Sequence, residues 1–479
     1  MEEVHRSKID DLDKIYKDSE PFRDRIATVD ESGKRVWISP KKPSGRYYNT
    51  RTVVSFILLI FLFGAPLIKI NGQPMILLNV IERKFILFGL AFWPQDFHLF
   101  ALAVLTFVVF IILFTVVFGR VWCGWACPQT IFMEMVFRKI EYWLEGDSHK
   151  QRALDKAPWT RKKIFKKTTK HIIFYALSFL IGNTFLAYII GVDELYKIVT
   201  DPPNQHVAGL TAMIIFSFLF YGVFSWFREQ ACVIVCPYGR LQGVLLDQNS
   251  IVVSYDFKRG EPRGKYKKSQ PRNNFGDCIA CGLCVQVCPT GIDIKNGTQL
   301  ECVNCTACMD ACDEVMDKIN KPRGLIRYSS HRGILEGIKL KITPRIIGYS
   351  AVLTVLLALF VFLLANRVPV EASILRTPGV LYQEVEGNKI QNMYNVKIIN
   401  KSFENRNVSF QLKEPPGDIK MVSGQTLALP EDGLAESVLL VKIPKAEIQS
   451  TNTIILIEML SDGKMLEEIE TSFLGPAGK

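Results

Sequence analysis

A multidomain membrane fold is predicted for this 479-residue chain: an α-helical bundle of five spans, a cysteine-rich domain inserted before the last span, and a C-terminal all-β immunoglobulin-like sandwich. Three observations predict it. Apolar residues make up 48% of the composition at a mean hydropathy of +0.16, and the excess is gathered into a few long runs. All twelve cysteines fall between Cys123 and Cys312. Beyond Arg367 the long runs give way to short segments separated by turn residues.

A spanning helix needs about 20 mostly apolar residues. Five segments qualify: Val53–Ile70, Leu99–Phe118, Ile172–Ile190, Val207–Phe227 and Ile346–Ala365. The run Phe85–Trp93 is too short to span and reads as interfacial or re-entrant. The first span begins some fifty polar residues into the chain and has no small-residue cleavage site, so it does not read as a secretory signal peptide. Orientation follows from Lys and Arg, which cytoplasmic loops retain. Residues 119–170 carry twelve of them, whereas 191–205 carry only Lys197. The N-terminus and the loops 119–170 and 228–345 are therefore expected in the cytoplasm, and everything after Arg367 on the far side. The far-side part has a net charge of −3, leaving +14 for the rest of a chain whose total is +11. Because these basic residues flank spans, they read as topology signals and contacts to anionic membrane lipid, not as a nucleic-acid surface.

Eight of the cysteines form two copies of C-x2-C-x2-C-x3-C: Cys278, Cys281, Cys284, Cys288 and Cys302, Cys305, Cys308, Cys312. This is the spacing of the bacterial ferredoxin run, in which the fourth thiolate of each copy ligates the other cluster. Two [4Fe-4S] clusters are expected, one on Cys278, Cys281, Cys284 and Cys312, the other on Cys302, Cys305, Cys308 and Cys288. Zinc sites usually pair one C-x-x-C with a distant second pair, and disulfides need an oxidising compartment, so both fit less well. Pro289 follows Cys288, but Asp313 follows Cys312, where a ferredoxin run often has proline.

The other four cysteines form an internal repeat. Cys123-Gly-Trp-Ala-Cys127-Pro128 follows the second span and Cys232-Val-Ile-Val-Cys236-Pro237 the fourth. Residues i and i+4 share a helix face, and proline suits the first turn of a new helix. If the two spans pack together, four thiols converge at the membrane edge. Such a site admits Cu(I), zinc, another iron centre or two cycling dithiol pairs, against the plainer reading of small buried hydrophobes. Met133 and Met135 are weaker candidates as thioether ligands. His98 and His206, at the outer ends of the second and fourth spans, are candidates for a bis-histidine haem pair, although interfacial histidines are more often solvated. No C-x-x-C-H is present, which excludes standard covalent haem attachment.

The resulting division is 1–50, a cytoplasmic tail with a short hairpin at Thr28–Ile38; 51–250, the four-span region with both C-x3-C-P repeats; 251–345, the cytoplasmic dicluster domain; 346–366, the fifth span; and 367–479, the sandwich. Ile131–Trp143 reads as an interfacial amphipathic helix, and Lys258–Asn274 as a basic linker. In the last region Tyr394–Ile399, Val408–Leu412, Ser437–Ile443, Thr453–Met459 and Met465–Phe473 read as strands. No catalytic constellation occurs there, which suits a docking or scaffolding module.

Several stretches carry a family resemblance: Trp122-Cys-Gly-Trp-Ala-Cys-Pro-Gln129, Cys236-Pro-Tyr-Gly-Arg-Leu-Gln242, Ala311-Cys-Asp-Glu-Val-Met-Asp-Lys318, Pro322-Arg-Gly-Leu-Ile-Arg-Tyr328 and Asn366-Arg-Val-Pro369. With the five spans and the terminal sandwich, the chain resembles the FixG/CcoG-type (RdxA-like) cytochrome c oxidase accessory proteins over nearly its whole length. The resemblance implies a multi-pass bacterial inner-membrane protein with a periplasmic C-terminal domain, acting in maturation of cbb3-type oxidases. It also implies reduction of Cu(II) to Cu(I), with Cys123, Cys127, Cys232 and Cys236 holding copper or relaying electrons to it. Implied partners are oxidase subunits or copper chaperones and transporters. A quinol-linked membrane ferredoxin serving a soluble partner, or a structural assembly factor with non-redox clusters, are the alternatives. No flavin or nicotinamide fingerprint is evident, so the electron donor stays open.

Overall fold

The computed structural model describes residues 28–479 except 31, 71, 82–83, 266–274, 338–341, 380, 449, 462 and 477–479. Most of the N-terminal tail and the centre of the 258–274 linker therefore lie outside the described residues. The chain forms two compact units, Met1–Gly64 with Val104–Ala187 and Val192–Leu357, and Ala65–Ala103 with Tyr188–Gly191 and Ala358–Lys479.

Five helices are long and apolar enough to cross a membrane: Arg46–Leu67, Phe97–Phe118, Arg161–Ile190, Val207–Phe227 and Pro344–Ala365. Two of them begin well before their apolar runs. The first starts at Arg46 because Asp310 accepts the backbone N–H groups of Tyr47 at 3.1 Å and Tyr48 at 2.7 Å, meeting donors that a helix start leaves free. Gly45 permits that approach, since a Cβ there would collide with the Asp310 side chain. The third starts at Arg161 because its basic first turns find partners. Lys167 pairs with Asp155 at 2.7 Å and Glu145 at 3.0 Å, and Lys170 pairs with Glu145 at 2.9 Å.

Residues 131–144 correct the expectation of an interfacial amphipathic helix. Ile131–Phe137 is π-helical, Arg138–Leu144 continues it as an α-helix, and most of the segment packs inside the first unit, with Trp143 exposed at its end. Phe137 stacks on Phe224 at 4.6 Å and meets Phe174 edge-on at 4.8 Å, joining this segment to the third and fourth spans. Its Arg138 and Glu141 side chains are buried as well, through ion pairing. Arg138 pairs with Glu134 at 2.7 Å and Glu229 at 3.3 Å, and Glu141 accepts two hydrogen bonds from Arg228 at 3.0 and 2.7 Å. Burial pushes the Glu141 carboxyl up, but Arg228, Lys170 and Arg138 outweigh it and hold it below its ordinary range.

The second unit corrects the reading of Phe85–Trp93. Ile76–Asn79, Lys84–Leu87 and Leu90–Phe92 form a three-stranded antiparallel sheet. Phe88 and Gly89, at φ of 51° and 81°, make the tight two-residue turn between the last two strands. The C-terminal part is a sandwich of two antiparallel sheets. One runs Asp418–Met421, Leu434–Pro444, Lys389–Asn400, Val370–Arg376, with Gln383–Val385 also on Lys389–Asn400. The other runs Leu427–Leu429, Arg406–Glu414, Asn452–Ser461, Lys464–Leu474. All five expected strands are present. Alternate residues such as Tyr394, Val396, Ile398 and Ile455, Ile457, Met459 fill the core, as the two-residue strand period requires.

Buried charges tie the small sheet to the sandwich. Asp96, just after the last strand of the sheet, pairs with Arg367 at 2.6 Å and Lys401 at 2.7 Å, all three nearly enclosed. Trp93 donates to Asp432 at 2.9 Å, and Lys84 pairs with the same carboxylate. Burial pushes the Asp96 carboxyl up, but the hydrogen bonds and charges of Arg367 and Lys401 outweigh it, so it is held below its ordinary 3.8. A depressed folded-state value means that this contribution is complete above the ordinary value and is lost as pH falls through the lower one. Asp96→Ala, which strips buried Arg367 of its carboxylate while Lys401 keeps Glu371 at 2.6 Å, is expected to destabilise this unit by about 3 kcal/mol at neutral pH. Thermal unfolding at pH 7 checks it.

Candidate electron-transfer site

The two cysteine runs fold alike. In each, the second residue after the first cysteine and the second after that are left-handed: Ala280 and Gly282 at φ of 51° and 71°, Asn304 and Thr306 at φ of 52° and 65°. Left-handed residues alternating with ordinary ones turn backbone N–H groups inward, making the concave nest typical of iron-sulfur and phosphate sites. A helix follows in each copy, Leu283–Gln286 and Ala307–Lys318. Cys278, Cys281, Cys284 and Cys312 line one cavity of about 390 Å³. Cys288, Cys302, Cys305 and Cys308 line a second of about 350 Å³, which Cys284 also reaches. The last cysteine of each run thus faces the cavity of the other. The proline missing after Cys312 is explained, because the helix simply continues to Lys318, and Asp313 accepts the Gly324 N–H at 2.8 Å.

Burial pushes the thiols up, Cys284 and Cys305 to about 11 and Cys302 and Cys312 to about 12. Left alone they would keep their protons at neutral pH, so a cationic centre must displace protons to bind. Among the described residues no three His, Cys, Asp or Glu side chains close on a point tightly enough for a single metal ion. Two thiol-lined cavities with nests suit the larger multi-iron centre.

The C-x3-C-P repeats also share one geometry. Cys127 and Cys236 are extended, at φ/ψ of −63°/124° and −64°/113°, and each precedes a helix whose first residue is proline. Proline forces that extension on its predecessor and needs no N–H in the first turn. Cys123 sits in the turn Val121–Trp125 and Cys232 in the π-helical turn Ala231–Val235. Burial pushes the Cys123 thiol up to about 11 and that of Cys232 to about 12, and the Cys232 shift includes a contribution from each of the other three sulfurs. The four thiols therefore occupy one electrostatic neighbourhood. Met133 lines a cavity of about 330 Å³ shared with Cys232, Pro289 and Val303. Met135 instead accepts a hydrogen bond from Thr52 at 3.7 Å, and His206 is paired with Asp201 at 2.9 Å.

Sequence reading missed the residues that join the two cysteine groups. Buried Arg120 bridges Gln242, the Gly239 carbonyl and the Leu300 carbonyl, linking both repeats to the loop before Cys302. Gln242, fully buried, donates to the Cys123 sulfur at 3.5 Å. Gly124 lies so close to that loop that a Cβ would sit 2.8 Å from the Asn304 carbonyl oxygen, and its own carbonyl accepts from buried Arg51 at 2.6 Å. Trp125 donates to Tyr328 at 3.0 Å, and the Tyr328 hydroxyl donates to the Asn304 carbonyl at 3.3 Å. Cys123 itself packs in one apolar cluster with Val303, Cys305 and Cys308. An ionisable residue within a spanning segment is a signal in itself, and Arg51 in the first span was such a signal.

Thiol-lined cavities inside a helical membrane unit define an iron-sulfur protein of the membrane electron-transfer class. Residues 227–331 match the family model for a 4Fe-4S dicluster domain and residues 100–151 that for a 4Fe-4S binding domain. Residues 360–476 match the IG-like fold at the C-terminus of FixG. The chain is 33% identical to protein RdxB of Cereibacter sphaeroides over 444 residues, 88% of this chain and 89% of that one. It is 29% identical to the nitrogen fixation protein FixG of Rhizobium meliloti over 500 residues, 93% and 94% of the two chains. Protein RdxA of Cereibacter sphaeroides is 36% identical over 300 residues, 61% and 62%. The chain belongs to the FixG family.

Proposed function

We propose that the protein carries electrons from a cytoplasmic donor through two [4Fe-4S] clusters to Cu(II) held by the thiolates at the membrane edge, reducing it to Cu(I) for copper centres of a cbb3-type cytochrome c oxidase. Cys278, Cys281, Cys284 and Cys312 hold one cluster, and Cys288, Cys302, Cys305 and Cys308 the other. Bound, each cluster supplies one-electron exchange at a potential tuned by its surroundings. The observation that carries the reading is the packing of Cys123 against the apolar cluster that contains Val303 and Cys305 and that Cys308 also packs on. It gives a short through-protein route from the second thiol-lined cavity to the repeat cysteines.

The chain's own residues hold that route in place. Arg120 and Gln242 fix Cys123, and the Gly124, Arg51 and Tyr328 contacts clamp the Asn304 loop against it. Cys123, Cys127, Cys232 and Cys236 receive the copper substrate, which takes up one electron and leaves as Cu(I), a soft ion suited to sulfur. Met133, beside Cys232, offers a thioether on the same cavity. The Lys and Arg distribution supports clusters in the cytoplasm and a sandwich in the periplasm, where it docks an oxidase subunit or a copper chaperone or transporter.

Anaerobically purified protein is expected to contain about eight irons per chain. Adding Cu(II) to the reduced protein should bleach the cluster EPR signal as the Cu(II) signal disappears. Coexistence of both signals would exclude copper as the acceptor. Gly124→Val, which drives a side chain into the Val303 and Asn304 carbonyls between Cys302 and Cys305, is expected to lower the iron content and slow copper reduction together, read by iron analysis and stopped-flow absorbance.

A further inference from the structure

An open cleft of about 590 Å³ lies beside the first turns of the first span, between that helix and residues 139–147. Its lining combines Lys42 and Lys139 with Tyr48, Thr52, Trp143 and Asp147. The Lys139 ammonium lies 5.6 Å over the Tyr48 ring and donates to the Thr52 hydroxyl at 3.4 Å. Among the described residues no carboxylate pairs with it. Asp147 is committed elsewhere, because its Oδ1 accepts the backbone N–H groups of Lys42 and Ser148, each at 2.8 Å. Partial burial, then the charges of Lys42 and Arg51, lower the Lys139 pKa. Two ammonium groups face the single Asp147 carboxylate, so the lining keeps a net positive charge that an anion can meet.

We propose that this cavity binds the phosphate of an anionic phospholipid headgroup, with Lys42 and Lys139 on the phosphate oxygens. An apolar track that continues from the cavity favours a lipid. Tyr48 and Thr52 belong to the first span, and the next residues along it, Val53, Phe56, Ile57 and Ile60, are all more than half exposed. An acyl chain leaving the headgroup would lie along them. Trp143, 76% exposed at the rim, is the amphipathic ring expected at headgroup level. The site involves none of the twelve cysteines and is independent of the redox reading.

The test is native mass spectrometry of the full-length, cluster-loaded protein in detergent, titrated with phosphatidylglycerol, phosphatidylcholine or inorganic phosphate. Phosphatidylglycerol is expected to bind in preference to phosphatidylcholine, and inorganic phosphate to compete poorly. Each lysine near an anionic headgroup contributes roughly fivefold in affinity, so Lys42→Gln with Lys139→Gln should weaken phosphatidylglycerol about 25-fold. Lys139→Arg should retain binding, which separates loss of charge from loss of fold. A control pair, Arg161→Gln with Lys162→Gln, should leave affinity unchanged. Equal loss in the control pair would reduce the effect to general surface charge and overturn the site. Equal competition by inorganic phosphate would make it a site for soluble phosphate and overturn the lipid.

Discussion

Replacing Cys123 and Cys127 together by serine is expected to bring Cu(II) reduction down to the level of a protein-free blank, while iron content and both cluster signals stay as in the parent. Neither residue lines the two thiol cavities of the ferredoxin-type run, so cluster loading has no reason to change. The fold should also survive. Serine is slightly smaller than cysteine, and the Gln242 amide that donates to the Cys123 sulfur at 3.5 Å can donate to a hydroxyl instead. The decisive readings are the copper reduction rate and the reduced EPR spectrum on one preparation. A rate unchanged from the parent would remove the repeat cysteines from the route and send electrons directly from the clusters to their acceptor.

The second large effect is expected at Arg138. Its side chain is 1% exposed, pairs with Glu134 and Glu229, and donates to the Pro289 carbonyl next to Cys288 at 3.3 Å. Arg138→Met fills the volume but strips two buried carboxylates of a partner, which costs about 3–5 kcal/mol when a buried pair is broken from one side. Glu229 keeps Arg35 at 3.3 Å, so Glu134 bears most of the loss. Adding Glu134→Gln to Arg138→Met should therefore recover part of the stability, as a pair removed from both sides costs less than one broken. Thermal unfolding of the detergent-solubilised parent, single and double variants reads both effects. A double variant no more stable than the single would mean that Arg138 stabilises the fold chiefly through its hydrogen bond to Pro289.

The cysteine pattern was legible because ligand spacing is local: both runs and both C-x3-C-P repeats carry their geometry within eleven residues or fewer. The longer strands of the sandwich were legible for a similar reason, since alternation along one strand reports its own buried face. Two segments misled for opposite reasons. Phe85–Trp93 looked like a single apolar run, because Phe88-Gly89 is not the Asn-Gly or Asp-Gly pair that usually marks a two-residue hairpin turn. Residues 131–144 looked amphipathic, and their charges are indeed separated from their aromatics. The charges of Arg138 and Glu141 are neutralised by Glu229, Arg228 and Lys170, distant in sequence, so that part of the polar face is internal. Arg51, Arg120, Gln242 and Asp310 share that difficulty. Each acts on a backbone or sulfur atom far along the chain, and no local pattern reports such a partner.

Asp310 bears on biogenesis. The residue that caps the start of the first span lies 263 positions downstream of Tyr47, between Cys308 and Cys312 on the same helix. A ribosome will have released the first span long before its cap exists. The earliest helix inserted is thus among the last to be finished, and its completion waits on a segment that folds around iron. Iron-starved cells should accumulate a membrane-inserted form whose residues near Arg46 are cut by a cytoplasmic protease, with the cut lost once iron is restored.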